Sequence, residues 1–441
     1  MSLGQVIVTT WMVSVGDAQT ERVSSTVEDV LGLAQASTNQ SRLPSDIKAT
    51  PFCFILYADK TRLSSHGTVK GYPVVVHCAN LPVGIRNGEG ISGGRVLQVS
   101  EDADEEGKPG FVNLKCVIWH EAFLKLLELV AQHSKSGYSH TCYDKIARWL
   151  FPIILILSAD YEEQCMMSLI RGHHSKCPCP VCLVLLEKLS ELSKTFAFRT
   201  VEEAIAALNV YKDCVLFANV FWLIAHSDPH QAISFDCLHA LHLGMWRHLL
   251  EELKKILKAL GHDEESKVEK QVASFPRWRN LNHFSTIIHI TFSDGNKMQD
   301  LSKQAFYSAV AIFNWIAILV STVHTSSTLA AIDAELLIFD SALKEYIECA
   351  LNSPIVGLKL DWDFPKAHLW KHAVAMVTAL GSKPRISILT STPETYAHMS
   401  DALSHMSEPL HIGSGASDLR TSHWPIALRV HLSIPCPIHP N

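Results

Sequence analysis

Residues 52–58 read FCFILYA and lead directly into Asp59. Residues 151–159 read FPIILILSA and lead directly into Asp160. Both runs are short, rich in β-branched or aromatic side chains and bounded by polar residues, which is typical of buried strands rather than of helices. They therefore predict two core strands of a mixed sheet in an α/β fold, with an acidic residue at the end of each strand.

Acidic side chains at two strand ends can share divalent cations. Phosphodiester hydrolysis and strand transfer use two Mg²⁺ ions about 3.5–4 Å apart, and Mg²⁺ prefers carboxylate oxygens as ligands. Asp59 and Asp160 are therefore candidate catalytic ligands of Mg²⁺ or Mn²⁺. The alternative is that both are ordinary residues at strand-to-loop junctions, where aspartate is common.

A second chemical signal is the segment CPCPVC at residues 177–182. Cys179 and Cys182 have the C-x₂-C spacing of structural zinc sites, and Cys177 offers a third thiolate. A structural zinc site has four ligands, so the cysteines need partners from elsewhere in the chain. The candidates are Asp236, His239 and His242. The pattern predicts a structural Zn²⁺ site. The alternative is a redox pair or a chance spacing of cysteines.

A pair of histidines near the end of the helical region has a different interpretation. His368 and His372 have the i, i+4 spacing that zinc proteases use, but the three residues between them include no glutamate that could act as a base. We interpret this pair as structural.

Composition limits the classes of function. A chain of 441 residues can form two or three packed units, and 47% apolar with 19% charged residues is typical of a globular protein. The net charge of -6 gives no overall basic surface, so any DNA contact must come from local patches. Twelve cysteines without a regular spacing favour a reducing compartment. The most apolar stretch, residues 305–320, is interrupted by polar residues and predicts a buried helix rather than a membrane span.

Four regions of the chain differ in pattern. Residues 1–50 are weakly patterned and contain a Ser-, Thr-, Gln- and Asn-rich stretch, which predicts poor order. Residues 51–182 alternate strand-like and helix-like segments, whereas 183–383 are almost wholly helical in pattern. Residues 384–441 contain no lysine and keep no period, which predicts a disordered tail.

The same periodicity predicts individual elements. Residues 72–78 form a second strand, and the Gly-rich, acidic residues 84–110 form a surface loop. Helices are predicted over 117–133, 161–170, 183–192, 201–211, 238–260, 301–323 and 330–349.

Several ordered blocks carry a resemblance to a known family. They read LYADKTRLS (56–64), GYP (71–73), ANL (79–81), ADYEEQ (159–164), PCPVCL (178–183), DCLHALHLG (236–244) and FPKAH (364–368). Over roughly residues 50–383 the chain resembles the Plavaka-type fungal DNA transposases. These belong to the Kyakuja-Dileera-Zisupton group, which is related to CACTA elements.

The resemblance implies a fold and an activity. The implied fold is RNase H-like over 51–182, with a CxxC zinc element and a large all-α insertion and C-terminal region. Asp59 and Asp160 match the first two carboxylates of a DDE or DDD metal site, and Asp236-x-x-His239 matches the C/D-x-x-H signature of several eukaryotic transposase groups. The implied chemistry is metal-assisted hydrolysis at the element's ends, followed by attack of a 3′ hydroxyl on target DNA. The implied partners are transposon ends, target DNA and further copies of the chain, in the nucleus and without a membrane.

The third carboxylate is where the chain departs from the family. Asp294 and Asp300 lie in a block that the family shares and are the best candidates, whereas relatives also carry a glutamate downstream of the FPKAH block. The family pattern stops at about Ser382, which we interpret as a shifted reading frame or a retained intron. Loss of one of three metal carboxylates normally ends two-metal catalysis, so the resemblance predicts an inactive or partial copy.

Two other classes of function stay open. A domesticated, non-catalytic zinc protein that binds DNA or protein would bind zinc without metal-dependent cleavage. An unrelated helical zinc enzyme would bring His239, His242 and His368 together around a zinc ion with an open position.

Overall fold

The computed structural model describes residues 48–58, 61–62, 70–80, 94–100, 111–142, 145–210, 219–274, 277, 282–290, 295–305 and 326–375. Asp59 and Asp294 lie outside the described residues, as do nearly all of the predicted N-terminal segment and the whole predicted tail. The chain divides into two compact units. The first contains the described residues of 48–184 and 196–234 together with Ala375, and the second contains those of 185–195 and 235–374.

The first unit is built on a mixed β-sheet. Its strands are β1 (Lys48–Ala58), β2 (Thr61–Arg62), β3 (Lys70–Cys78), β4 (Gly94–Ser100), β5 (Tyr138–Thr141) and β6 (Ala147–Ser158). Their order is β4–β3–β1–β6–β5, and the short β2 also pairs with β3. β1 is antiparallel to β3 and parallel to β6, and β5 is antiparallel to β6. The predicted mixed sheet in an α/β fold is confirmed.

β1 and β6 are the strands predicted from the two apolar runs. Residues 51–56 of β1 and 150–154 of β6 are buried without interruption, as expected where both faces of a sheet are covered. The parallel register ends with Tyr57 beside Ser158. Both strands therefore finish at the same edge of the sheet.

Helix α1 (Phe111–Ser136) packs against β6. Trp119, Phe123, Leu127 and Val130 are buried at helical spacing along one face, and the rings of Trp119 and Phe123 stack with centroids 3.9 Å apart. The helix predicted over 117–133 is confirmed and extends further at both ends. Gly137 follows it at φ +72°, a conformation that glycine adopts readily, and the chain then enters β5.

In its described part the first unit also has three shorter α-helices: α2 (Tyr161–Met167), α3 (Val201–Val210) and α4 (Pro229–Ala232). α2 begins directly after Asp160, as predicted, but ends sooner than residue 170. Leu169 has φ +56°, which is incompatible with a continued right-handed helix. Beyond α4, Ile233 forms an isolated parallel bridge with Leu157 of β6.

Two local predictions are wrong. The predicted loop over 84–110 contains β4, whose pairing with β3 places Val96 beside Val75. The predicted helix over 183–192 is instead a short 3₁₀ turn, Leu186–Lys188, within irregular chain. Its backbone is bound by distant carboxylates, since Ser190 donates to Asp363 at 2.7 Å and Leu192 to Asp340 at 3.0 Å. Such long-range partners leave no mark on local periodicity.

The second unit is helical in its described part. A π-helix, Leu238–Met245, runs into α5 (Trp246–Leu260), which is followed by α6 (His262–Ala273), α7 (Gly295–Ala305), α8 (Ser326–Leu351) and α9 (Pro365–His368). The helices predicted over 238–260 and 330–349 are confirmed. The helix predicted over 301–323 begins earlier, at Gly295, and residues 306–323 lie outside the described chain.

Helices α5, α6 and α7 enclose an apolar core, formed by Trp246, Leu250, Val272, Ile287, Met298 and Leu301. On α5, the buried carboxylate of Glu252 accepts hydrogen bonds from Lys255 Nζ (2.6 Å), Tyr346 Oη (2.6 Å) and Lys359 N (2.7 Å). This network attaches α8 and the segment after it to α5.

Among the helices that the structure describes, none combines the length and apolar character needed to cross a membrane.

Candidate metal centre and acidic strand end

Each backbone carbonyl of residues 177–181 in the CPCPVC segment accepts a hydrogen bond from a residue outside the segment. Arg199 donates from Nη2 to the carbonyl of Cys177 (2.5 Å) and from Nε to that of Cys179 (2.7 Å). The Tyr161 hydroxyl donates to the carbonyl of Pro178 (2.9 Å), and His230 Nδ1 donates to that of Pro180 (2.9 Å). The fifth carbonyl, at position 181, accepts from the backbone N–H of residue 199 (2.9 Å). The loop is therefore held in one conformation from outside.

Residues 197–199 act as a short partner strand for the end of this loop. Cys182 and Phe198 form an antiparallel bridge, and the N–H of Leu183 donates to the carbonyl of Ala197 at 2.9 Å. The two prolines at 178 and 180 have no N–H, so they add no donors that would need partners. This local sequence fixes the direction of both cysteine side chains.

Cys179 and Cys182 are both buried, with at most 1% of their surface exposed. Burial and the adjacent Cys182 sulfur raise the pKa of the Cys179 thiol well above its ordinary value, whereas N–H donors from residues 181 and 182 act to lower it. One of these, Val181 N, lies 3.4 Å from Cys179 Sγ. Since a buried thiolate is costly without a nearby positive charge, this pair suits a soft divalent cation.

Two buried histidines stand on the short helical segment 365–372. His368 and His372 are 0% and 4% exposed, and their ring centroids are 5.2 Å apart. His368 Nδ1 donates to the carbonyl of Leu189 at 3.3 Å, which leaves Nε2 as the nitrogen able to bind a metal. A backbone carbonyl on the other ring nitrogen is the usual orienting contact of a metal-bound histidine.

Further contacts hold residues 185–195 next to this histidine segment. Lys371 Nζ donates to the carbonyl of Leu192 at 2.7 Å, and the carboxylates of Asp363 and Asp340 accept from the backbone as described above. The carbonyl that orients His368 is thus part of a fixed loop.

Cys179, Cys182, His368 and His372 form a group whose candidate ligand atoms all lie within 4.8 Å of one another. Two sulfurs and two imidazole nitrogens are the ligand set of tetrahedral Cys₂His₂ zinc sites, in which Zn–S is about 2.3 Å and Zn–N about 2.0–2.1 Å. The four side chains leave no position for substrate, which is the property of a structural rather than a catalytic zinc site. This Cys/His cluster could bind a metal, consistent with structural zinc.

The cluster takes its two cysteines from the sequence-predicted set and its histidines from elsewhere. Within the described residues it includes neither Cys177 nor Asp236, His239 or His242. Cys177 is half-buried and lies in the same loop, where its carbonyl binds Arg199. The signal for these two ligands is the i, i+4 spacing of His368 and His372, a pair interpreted above as structural because no glutamate lies between them.

Asp236, His239 and His242 have protein partners instead. The Asp236 carboxylate lies 2.5 Å from His239 Nδ1 and also accepts from the His239 N–H at 3.1 Å. His242 is fully buried; its Nδ1 lies 2.7 Å from Ser302 Oγ, and its Nε2 lies 3.8 Å from Cys237 Sγ. Since the Ser302 hydroxyl donates to the carbonyl of Gln299 (2.7 Å), Nδ1 is the donor of this pair.

Asp160 stands at the carboxyl end of β6, where it caps helix α2. Its Oδ1 accepts from the backbone N–H of Glu163 at 2.9 Å, with Asp160 in an extended conformation at φ −68° and ψ 174°. The residue is half-exposed, and among the described residues no hydrogen bond reaches its Oδ2. One carboxylate oxygen is therefore free to bind a cation.

Asp300, a candidate for the third carboxylate, lies on α7 and is 4% exposed. Its Oδ2 accepts from Asn282, from the backbone N–H at 3.1 Å and from the side-chain amide at 2.8 Å. This carboxylate attaches the segment around residue 282 to α7. The other candidate, Asp294, and the first carboxylate, Asp59, lie outside the described residues.

Comparison with known proteins identifies the family. No curated protein matched the chain. The family model described as Plavaka transposase matches residues 15–251, which is more than half of the 441 residues. The matched region includes both central strands, the CPCPVC segment and the Asp236–His239 pair. The chain therefore belongs to the Plavaka transposase family.

Proposed function

We propose that this chain is a DDE/DDD-type transposase-like protein, whose first unit is an RNase H-like fold built for metal-dependent cleavage and transfer of DNA strands. One observation carries the proposal: Asp160 follows a central strand, β6, that is parallel to β1, and Asp59 follows the end of β1 by one residue in the sequence. Membership of a transposase family supports DNA as the substrate.

The strand order supports the RNase H-like assignment. Neighbouring strands β1, β3 and β4 are antiparallel, and α1 then leads through β5 to β6, which is parallel to β1 on its other side. The connection from β4 through α1 crosses to β5 at the opposite edge, and β6 then brings the chain back beside β1 at the centre of the sheet. The isolated parallel bridge of Ile233 to Leu157 lies near the end of β6, past the residues that pair with β5, where a further parallel strand would extend the sheet.

The residues of the proposed catalytic centre suit Mg²⁺ or Mn²⁺. Asp59 and Asp160 would share the metal ions at the strand ends, and the free Oδ2 of Asp160 is the donor atom that such an ion requires. Asp294 or Asp300 would supply the third carboxylate. When bound, two such ions activate the attacking oxygen and stabilise the leaving oxygen. The residues of the chain position the DNA and the metal ligands.

The Cys/His cluster has a different role in the proposal. Zn²⁺ at Cys179, Cys182, His368 and His372 would stabilise the folded chain and would take no part in phosphoryl transfer. The partners would be transposon ends and target DNA. A homo-oligomer of the chain would bind them in the nucleus.

The test is a nicking assay on supercoiled DNA with Mg²⁺ or Mn²⁺, using zinc-loaded full-length protein. Asp160→Asn keeps an N-cap side chain but removes the charge that binds the metal. Asp228→Asn makes the same change at the N-cap of α4, where Asp228 accepts from His230 and Gln231, and is the matched control. Cleavage by wild type and Asp228→Asn, but not by Asp160→Asn, would support the proposal.

Other results separate the alternatives. DNA binding without metal-dependent cleavage by wild type would indicate a copy that has lost catalysis or serves as a binding protein. Equal cleavage by wild type and Asp160→Asn would overturn the assignment of this carboxylate, and failure to bind or cleave DNA would overturn the function.

A further inference from the structure

The turn at residues 171–176, which reads RGHHSK, presents a concentrated set of basic side chains. Arg171, His173, His174 and Lys176 are all exposed. No aspartate or glutamate occurs in the sequence between residues 164 and 186. The local charge of this turn is thus positive, although the whole chain has a net charge of -6.

Among the residues that the structure describes, these basic side chains have no carboxylate partner. Within the described residues, Arg171 and Lys176 make neither an ion pair nor a side-chain hydrogen bond. The contrast is with lysines elsewhere, which pair with an acid three or four residues away: Lys194 with Glu191, Lys254 with Glu251, Lys267 with Glu264 and Lys344 with Asp340. The charges of the turn are therefore available to an external anion.

The backbone of the turn is rigidly supported. Gly172 is buried at φ +59°, and a Cβ at this position would meet Cys165 Sγ at 3.3 Å and Tyr161 Oη at 3.5 Å. The carbonyl of Gly172 accepts from both the N–H (2.9 Å) and the hydroxyl (2.7 Å) of Ser175. Since Tyr161 and Cys165 belong to α2, the turn is fixed to the helix that Asp160 caps.

We propose that the 171–176 turn is a contact surface for the phosphate backbone of DNA, which holds the duplex beside the Asp160 end of the sheet. The inference rests on the proposed function, because it takes DNA as the ligand. Exposed, unpaired cations on a fixed backbone are the features that neutralise phosphates and release counterions, and they carry no information about base sequence. The predicted contact is therefore independent of sequence.

The test measures binding of full-length protein to a labelled DNA duplex by fluorescence anisotropy over a range of salt concentrations. The double variant Arg171→Gln/Lys176→Gln should lose two phosphate contacts. The negative slope of log K against log[salt] should therefore become shallower by about 1.8. At about 0.1 M salt the affinity should fall ten- to a hundredfold, equally for unrelated sequences. The charge-preserving variant Arg171→Lys/Lys176→Arg should retain the wild-type slope.

The matched control is Lys194→Gln/Lys267→Gln, which removes the same charge from two lysines that already have carboxylate partners. A double variant at 171 and 176 with the slope of this control would overturn the proposed surface while leaving DNA binding intact. If wild type itself fails to bind DNA, both the surface and the proposed function are wrong. Bound zinc and circular dichroism of each variant confirm that the fold is retained.

Discussion

Arg199 and Cys179 are joined by a hydrogen bond from the guanidinium Nε to the backbone carbonyl, 2.7 Å long. A second arm of the same guanidinium reaches the carbonyl of Cys177. An arginine that spans two carbonyls of a cysteine loop fixes the loop before any metal arrives. The entropy of the cysteine loop is therefore lost during folding, and metal binding does not have to order the thiols.

Arg199→Met should weaken metal binding while leaving all four ligands in place. Outer contacts that orient metal ligands typically contribute 10- to 100-fold in affinity, and we expect a loss in that range because two loop carbonyls lose their donors. The measurement is zinc affinity by competition with a chromophoric chelator. Arg247→Met, at an exposed position on α5, is the control. An unchanged affinity in Arg199→Met would show that the loop is ordered without the guanidinium.

The ligand set itself can be tested by single substitutions. Cys182→Ser and His372→Asn should each lose most of the bound zinc, because a four-ligand site with one ligand removed is open to water. His239→Asn should keep its zinc, since His239 is paired with Asp236 outside the cluster. Zinc content per chain by atomic emission measures all three, and Co²⁺ substitution should give the absorption of a tetrahedral site with two thiolates.

The opposite pattern, with zinc retained in His372→Asn and lost in His239→Asn, would restore the ligand set predicted from sequence. The two ligand sets share Cys179 and Cys182, so only the histidine variants distinguish one set from the other.

What the sequence could predict depends on how far apart the interacting residues lie. The strands before Asp59 and Asp160 and the CxxC spacing are local patterns, and each predicted its element or its chemistry. Strand β4 was missed because its pairing with β3 is not visible in a glycine-rich stretch. His368 and His372 are separated from the cysteines by more than 180 residues of sequence, and no period connects them. Only the fold determines which histidines accompany a cysteine pair.

His120 should remain neutral well below the pH at which histidine ordinarily titrates. Burial lowers the pKa of His120 to about 4, although a hydrogen bond to the Met166 carbonyl acts in the opposite direction. The ring donates from Nε2 to that carbonyl and accepts at Nδ1 from the N–H of Val220 (3.3 Å), so a second proton would remove the acceptor. We expect its NMR resonance to stay constant between pH 7.5 and 5.5, with His120→Gln identifying the signal.

Because its pKa is lowered on folding, His120 makes the free energy of unfolding decrease as the pH falls. In the unfolded chain this histidine takes up a proton near its ordinary pKa of about 6.5, whereas in the folded protein it does so only near 4. The contribution is therefore fully present above about pH 6.5 and is lost as the pH falls towards 4. The free energy of unfolding should decline less steeply over this window in His120→Gln than in wild type. Equal slopes would show that the native ring takes up its proton over the same pH range as in the unfolded chain.

The last prediction concerns the buried carboxylate of Glu252. Burial alone would raise the pKa of Glu252, but hydrogen bonds from Lys255, Tyr346 and Lys359 lower it overall. Tyr346→Phe removes the 2.6 Å bond to Oε2 and leaves the phenyl ring in place. Since hydrogen bonds to charged groups contribute about 1.5–3 kcal/mol, we expect a loss of that size in the free energy of unfolding, measured by urea denaturation.

Tyr138→Phe is the control for this substitution, because it removes a phenol hydroxyl from a half-exposed tyrosine in the first unit. It should leave stability within about 0.5 kcal/mol of wild type. Below the ordinary pKa of glutamate, protonation of Glu252 weakens the charged hydrogen bond in wild type, so the difference between Tyr346→Phe and wild type should shrink as the pH falls. A difference that stays constant from pH 7 to pH 3 would mean that the Tyr346 hydroxyl stabilises the fold independently of the charge on Glu252, and that the lowered pKa of Glu252 depends on Lys255 and Lys359 alone.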